Sequence, residues 1–248
     1  MISIRTDEEV ELLREACRIA ATALRTGEKA IRDGVTTGYI DKLIEDEILK
    51  MGAKPAFKGY RGYRHTACIS INEEIVHGIP GNKEIKDGDI VGLDVGSIFK
   101  GYYGDVARTV LVGDVKKSAR KLAKTTEECL EIGIRQVRKG NHVGDIAAAI
   151  EEHATRNGYS VVKDLFGHGV GKELHEEPLI PNFGKKGSGP RLEKGYVFAI
   201  EPMLNMGTSA IETLADGWTV VTRDRKLSAH FEHTVHVTDG EPDVLTRI

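Results

Sequence analysis

The chain has 248 residues, 40% hydrophobic and 29% charged, with a net charge of −3, which suits a folded protein and provides no basic field for nucleic acid. No run approaches the roughly 18 apolar residues of a membrane span, the start carries no signal-peptide pattern, and three scattered cysteines make no disulfide framework. A cytoplasmic globular protein is expected, with no membrane association and no specific nucleic-acid partner.

In chain order, Thr6-Asp-Glu-Glu9 is a capping-box pattern followed by Val10, Leu13, Cys17, Ala21 and Leu24 at helical spacing. It predicts a helix running towards Asp33 and stopped by Gly34. A second helix is predicted over 38–50, ended by Met51-Gly52. Strand patterns cover 67–71, 89–95 and 105–112. Helices then recur over 118–138 and 143–157, and strands over 196–203, 219–222 and 231–237.

The recurrence is a repeat. Gly34, Gly38, Ile44, Glu45 and Gly52 reappear 106 residues later as Gly140, Gly144, Ile150, Glu151 and Gly158. Gly88 to Asp94 matches Gly195 to Glu201 at an offset of 107. We expect one catalytic domain, residues 1–248, of two pseudo-symmetric halves (about 1–113 and 114–248) sharing a sheet. Strands with segregated helices give an α+β class, a curved antiparallel-rich sheet covered by helices on one face.

Four carboxylates sit in or at the ends of apolar strands. Asp94 lies in Ile-Val-Gly-Leu-Asp-Val-Gly and Glu201 in Val-Phe-Ala-Ile-Glu-Pro-Met, while Asp105 and Glu232 open strands of their own. Burying one ionised carboxylate without a partner costs several kcal/mol. Four at corresponding points of two halves must protonate or hold something cationic between them. His168 lies between glycines, seven residues before His175, and His77 ends a strand in Val-His-Gly-Ile-Pro. The flanking glycines would let backbone approach a bound group. His233 should face away from the acids, and His65, His142, His153, His230 and His236 read as surface or core.

Four carboxylates and one imidazole make an oxygen-rich ligand set. Two divalent ions would balance four negative charges and, roughly 3.5–4 Å apart, would activate water and polarise a carbonyl. Mn²⁺, Fe²⁺ or Co²⁺ suit such ligands, with Zn²⁺ also admissible. Metal-assisted hydrolysis follows, leaving His77 and His175 free for catalysis.

Six motifs, Val-His-Gly-Ile-Pro, Leu-Asp-Val-Gly, Gly-His-Gly-Val-Gly, Leu-His-Glu-Glu-Pro, Ala-Ile-Glu-Pro-Met and Phe-Glu-His-Thr, resemble those of type I methionine aminopeptidases of the minimal bacterial style. The resemblance spans nearly the whole chain and implies the pita-bread fold around a dinuclear metal centre. It implies metal ligands at Asp94, Asp105, His168, Glu201 and Glu232, with Asp105 and Glu232 bridging. Glu201 is implied as proton acceptor, His175 as the group on the scissile carbonyl, and His77 as the group on the scissile nitrogen. Tyr60, Tyr63, Cys68 and Trp218 fall on the methionine pocket, with Phe57 and Leu174 beside them. Asn72 and Ser228 match a monovalent-cation position of some members. The implied reaction removes N-terminal methionine from nascent proteins and peptides when the next residue is small. The implied enzyme is a monomer, with the ribosome, where substrates emerge, as a further expected partner.

Overall fold

A computed structural model describes residues 2–248. Its elements are α1 (Asp7–Ala30), α2 (Thr37–Lys50), β1 (Lys54–Pro55), β2 (Ala67–Ile71), β3 (Glu74–Val76), β4 (Ile90–Phe99), β5 (Tyr102–Leu111), α3 (Lys117–Arg135) and α4 (Val143–Arg156). There follow β6 (Ser160–Val161), β7 (Gly167–Gly169), β8 (Glu176–Ile180), β9 (Val197–Ile200), β10 (Met203–Asn205) and β11 (Ile211–Thr213). β12 (Val220–Thr222), β13 (Ser228–His230), β14 (Glu232–His236) and β15 (Asp243–Val244) complete the chain.

A nine-stranded sheet runs β1-β4-β5-β14-β9-β7-β8, with β2 also on β4 and β15 on β14. Its strand pairings are antiparallel, and strands from the two halves of the chain meet where β5 pairs β14. Two three-stranded sheets, β13-β10-β6 and β11-β12-β3, stand beside it.

Helices cover one face. Ile19, Leu24, Ile40, Ile44 and Ile48 of α1 and α2 pack on Ile69, Val91, Leu93 and Val106. Leu122, Leu130, Ile146 and Ile150 of α3 and α4 pack on Phe198, Ile200 and Val235. The alternation of side chains along a strand then sends Asp94, between Leu93 and Val95, to the opposite face. Asp105 and Glu232 follow the same rule, while their neighbours Val106 and His233 face the helices. This is the expected α+β, pita-bread arrangement.

The repeat has a physical counterpart. Thr36 bridges Glu84 as His142 bridges Arg191, and the N–H of Gly38 bonds Gly81 O (2.8 Å) as that of Gly144 bonds Ser188 O (2.9 Å). Each half thus ties the start of its second helix to a loop by equivalent bonds.

Several boundaries differ from expectation. α1 stops at Ala30 instead of continuing to Asp33, with Ile31 extended at its end, and α3 stops at Arg135 instead of 138. The strand expected over 196–203 is split into β9 and β10, because Pro202 has no N–H to give a ladder. Glu201 therefore sits in the break. The glycines around His168 serve packing: a Cβ on Gly167 would lie 2.4 Å from Ala199 O, and one on Gly169 2.3 Å from Glu177 O. They admit the neighbouring strands, not a bound group.

Candidate metal centre

The sheet register assembles the acids. Asp94 pairs across β4 and β5 with Ala107, and Ala107 pairs with Glu232 on β14. Asp105 is two residues from Ala107 on the same face. His233 opposes Ile200, so Glu201, just past β9, comes beside Glu232. His168 on β7 approaches from beyond β9. Donor atoms of Asp105, His168 and Glu232 lie within 4.8 Å of one another. His168 Nε2 is 3.9 Å from Asp105 Oδ2 and 3.6 Å from Glu201 Oε1.

The electrostatics of this cluster call for a cation. Burial, then the charges of Asp105 and Glu201, raise the Asp94 carboxyl well above its usual range. Burial and Glu201 push Asp105 up to about 8, and burial with Asp105 raises Glu232 well above its usual value. Burial acts on Glu201 in the same sense, but the imidazoles of His230 and His168 outweigh it and hold that carboxyl low. Asp94 Oδ1, Asp105 Oδ1 and Glu232 Oε1 are buried without a hydrogen-bond partner. Such atoms are costly unless an ion takes their lone pairs. Carboxylates plus one imidazole are the donors that hard or borderline divalent ions prefer.

The same cavity, about 160 Å³, is lined by Asp94, Asp105, His168, Glu201 and Glu232 and by His77, His175, Tyr60, Tyr63, Cys68 and Trp218. All the singled-out site residues therefore meet in one place. Cys68 pairs with Asp94 across β2 and β4, which sets the apolar end directly against the acids. Phe57, Tyr63, Cys68 and Leu174 form that end, with Tyr60 and Trp218 packed on it. Burial raises the Cys68 thiol well above its usual pKa, so it is a wall and not a nucleophile. Tyr63 is edge-on to Trp218, at 5.0 Å between centroids.

Two histidines flank the acids. His175 lies tilted against His168, with ring centroids 4.1 Å apart, and its Nδ1 lies 2.8 Å from the Tyr60 hydroxyl. Burial and His168 lower its pKa to about 4. His77 adopts a left-handed backbone (φ 58), a conformation that non-glycine residues hold mainly where surroundings enforce it. Burial lowers its pKa. Arg61, also left-handed (φ 48), lies over the Tyr60 ring at the same cavity. Ser228 N–H bonds Asn72 O at 3.0 Å, so those two residues are adjacent.

One residue read as surface or core belongs here. His230 on β13 is 3% exposed, and its Nε2 lies 3.5 Å from Glu201 Oε2 and 3.9 Å from Glu232 Oε2. Its position two residues before Glu232 was the only available signal. His233 faces away, bonding Thr246 Oγ1 through Nδ1 at 2.8 Å.

Residues 11–239 match metallopeptidase family M24, and the chain belongs to that family. Within it the chain falls with the methionine aminopeptidases. It is 46% identical to methionine aminopeptidase 1 of Bacillus subtilis and 45% identical to the methionine aminopeptidase of Clostridium perfringens, each over the full length of both chains. The structure of methionine aminopeptidase from Thermotoga maritima superposes with a TM-score of 0.99 at 43% identity, covering both chains fully. The prolidase from Pyrococcus furiosus shares the fold more distantly (TM-score 0.82, 25% identity), and the match covers 99% of this chain but 65% of that one. Among the described residues, no helix is long and apolar enough to cross a membrane.

Proposed function

We propose that this protein removes N-terminal methionine from nascent proteins and peptides when the second residue is small, using two divalent ions. The observation that carries this reading is the adjacency of the acid cluster and an apolar pocket, with Cys68 opposite Asp94 on the sheet. In this reading Asp94, Asp105, His168, Glu201 and Glu232 would hold the ions, with Asp105 and Glu232 shared between the two, Asp94 serving one, and His168 and Glu201 the other. Co²⁺, Mn²⁺ or Fe²⁺ suit this set, and Zn²⁺ is admissible. When bound, such ions supply Lewis acidity and a nucleophile at neutral pH.

The remaining work falls to the chain. Glu201, the acid held ionised by its histidine neighbours, accepts the nucleophile's proton. His175 is neutral at physiological pH, and a Tyr60 O–H donated to Nδ1 leaves Nε2–H to steady the developing oxyanion. Donors of that kind are worth about 3–4 kcal/mol where they have been removed. His77 is placed to bind the scissile nitrogen. Tyr60, Tyr63, Cys68 and Trp218, with Phe57 beside them, receive the methionine side chain. A free α-amine is required beside the acids, which makes the reaction an exopeptidase one.

The chain acts as a single cytoplasmic domain and a monomer, its substrates arising at the ribosome. A second reading, cleavage before proline, has the prolidase likeness behind it. Release of free amino acid from Met-Ala-Ser, Met-Leu-Ser and Ala-Pro separates the two. Cleavage of Met-Ala-Ser alone supports the proposal, and preference for Ala-Pro overturns it.

A further inference from the structure

We infer that His230 is a positioning residue whose Nε2–H fixes the outer oxygen of Glu201 and so aims its inner oxygen at the metal side. The inference rests on Glu201 acting as proposed above. Glu201 follows β9 and precedes Pro202, so no strand ladder holds it. Its carbonyl accepts from Asn182 Nδ2 at 3.1 Å, which fixes the backbone but not the carboxylate.

The carboxylate is placed from two sides. Oε1 faces His168 Nε2 at 3.6 Å and Oε2 faces His230 Nε2 at 3.5 Å. His230 is itself clamped, since its N–H donates to Thr109 Oγ1 (3.0 Å) while that hydroxyl donates to His230 O (2.9 Å). β13 also pairs His230 with Met203. A rigid backbone thus carries an imidazole nitrogen that is buried without a partner. Such a group is costly to bury unless satisfied. A small rotation of Glu201 brings the pair to hydrogen-bond distance, so each group satisfies the other. Partners of this kind orient a ligand and commonly change metal affinity or activity 10–100-fold when removed.

The test compares H230Q and H230L with the unaltered chain in Mn²⁺ calorimetry and in Met-Ala-Ser kinetics. The glutamine amide can donate in place of the imidazole, and leucine cannot. H230Q is expected to keep Mn²⁺ affinity and kcat within about threefold, and H230L to lose on the order of 10–100-fold in both at little-changed KM. H230L matching the unaltered chain in both overturns the inference, as does a folded H230Q that fails as badly as H230L. If the unaltered chain neither binds Mn²⁺ nor cleaves the peptide, the functional reading falls and this inference with it. Should H230L not fold, the imidazole N–H of His230 in the intact chain decides. Slow exchange with solvent, lost in E201Q, supports the inference, and fast exchange in both overturns it.

Discussion

The Tyr60 hydroxyl lies 2.8 Å from Nδ1 of His175, joining a wall of the apolar pocket to the histidine beside the acids. Tyr60 therefore does more than line the pocket: in the proposed reaction its hydroxyl donates to Nδ1 and keeps the His175 proton on Nε2. Removing the histidine (H175A) is expected to lower kcat about 10²–10³-fold, as loss of an oxyanion donor does. Y60F removes one hydrogen bond, worth about 1 kcal/mol, and should cost roughly five- to tenfold in kcat. Steady-state kinetics on Met-Ala-Ser checks both, and Mn²⁺ binding should be unchanged in Y60F.

Three buried carboxylate oxygens have no partner, so an ion that satisfies them stabilises the fold. Divalent metal at a hundred times its Kd should add about 2.7 kcal/mol. Thermal unfolding of the chelated protein, repeated after Mn²⁺ is added back, measures this. A D105N variant should lose most of the gain.

Close backbone approach predicts a different kind of damage. A Cβ on Gly104 would lie 2.4 Å from the Cys17 nitrogen and 2.5 Å from the Ala16 carbonyl carbon, where α1 lies on β5. Backbone cannot give way as a side-chain tip does, so G104A should destabilise the protein by about 3 kcal/mol. Urea unfolding reports it as a lowered midpoint.

The acid limb of stability should carry a signature of the first helix cap. Glu9 accepts the Thr6 N–H and the Tyr102 hydroxyl, with Lys172 beside it, and these contacts lower its pKa from 4.5 to about 2. A depressed carboxyl contributes stability that is present above the unfolded value and lost as pH falls through the folded one. E9Q should therefore be less stable than the unaltered chain at pH 5 and lose less as pH falls from about 4.5 to 2. Unfolding curves across that window show it.

Much of the fold was legible because its signals are long or repeated. The 106-residue offset between Gly38 and Gly144 survives as equivalent backbone bonds, and the acids betrayed themselves by interrupting apolar strands. The two- and three-residue strands, β6 and β13 among them, were not legible, because alternation needs more residues than that to register. His230 was missed for a related reason. His230 stands one residue before the strand expected over 231–237, so the alternation that gives it the same face as Glu232 was not extended to it. The break at Glu201 was foreseeable from Pro202, yet the apolar run around it masked the proline's effect.

The most direct test of the account is methionine release from Met-Ala-Ser by chelated protein before and after Mn²⁺ is restored, with D105N in parallel. A metal-dependent aminopeptidase releases no methionine after chelation, recovers fully with Mn²⁺, and fails to recover in D105N. Release that survives chelation, or a folded, Mn²⁺-supplied chain that cleaves nothing, would contradict it.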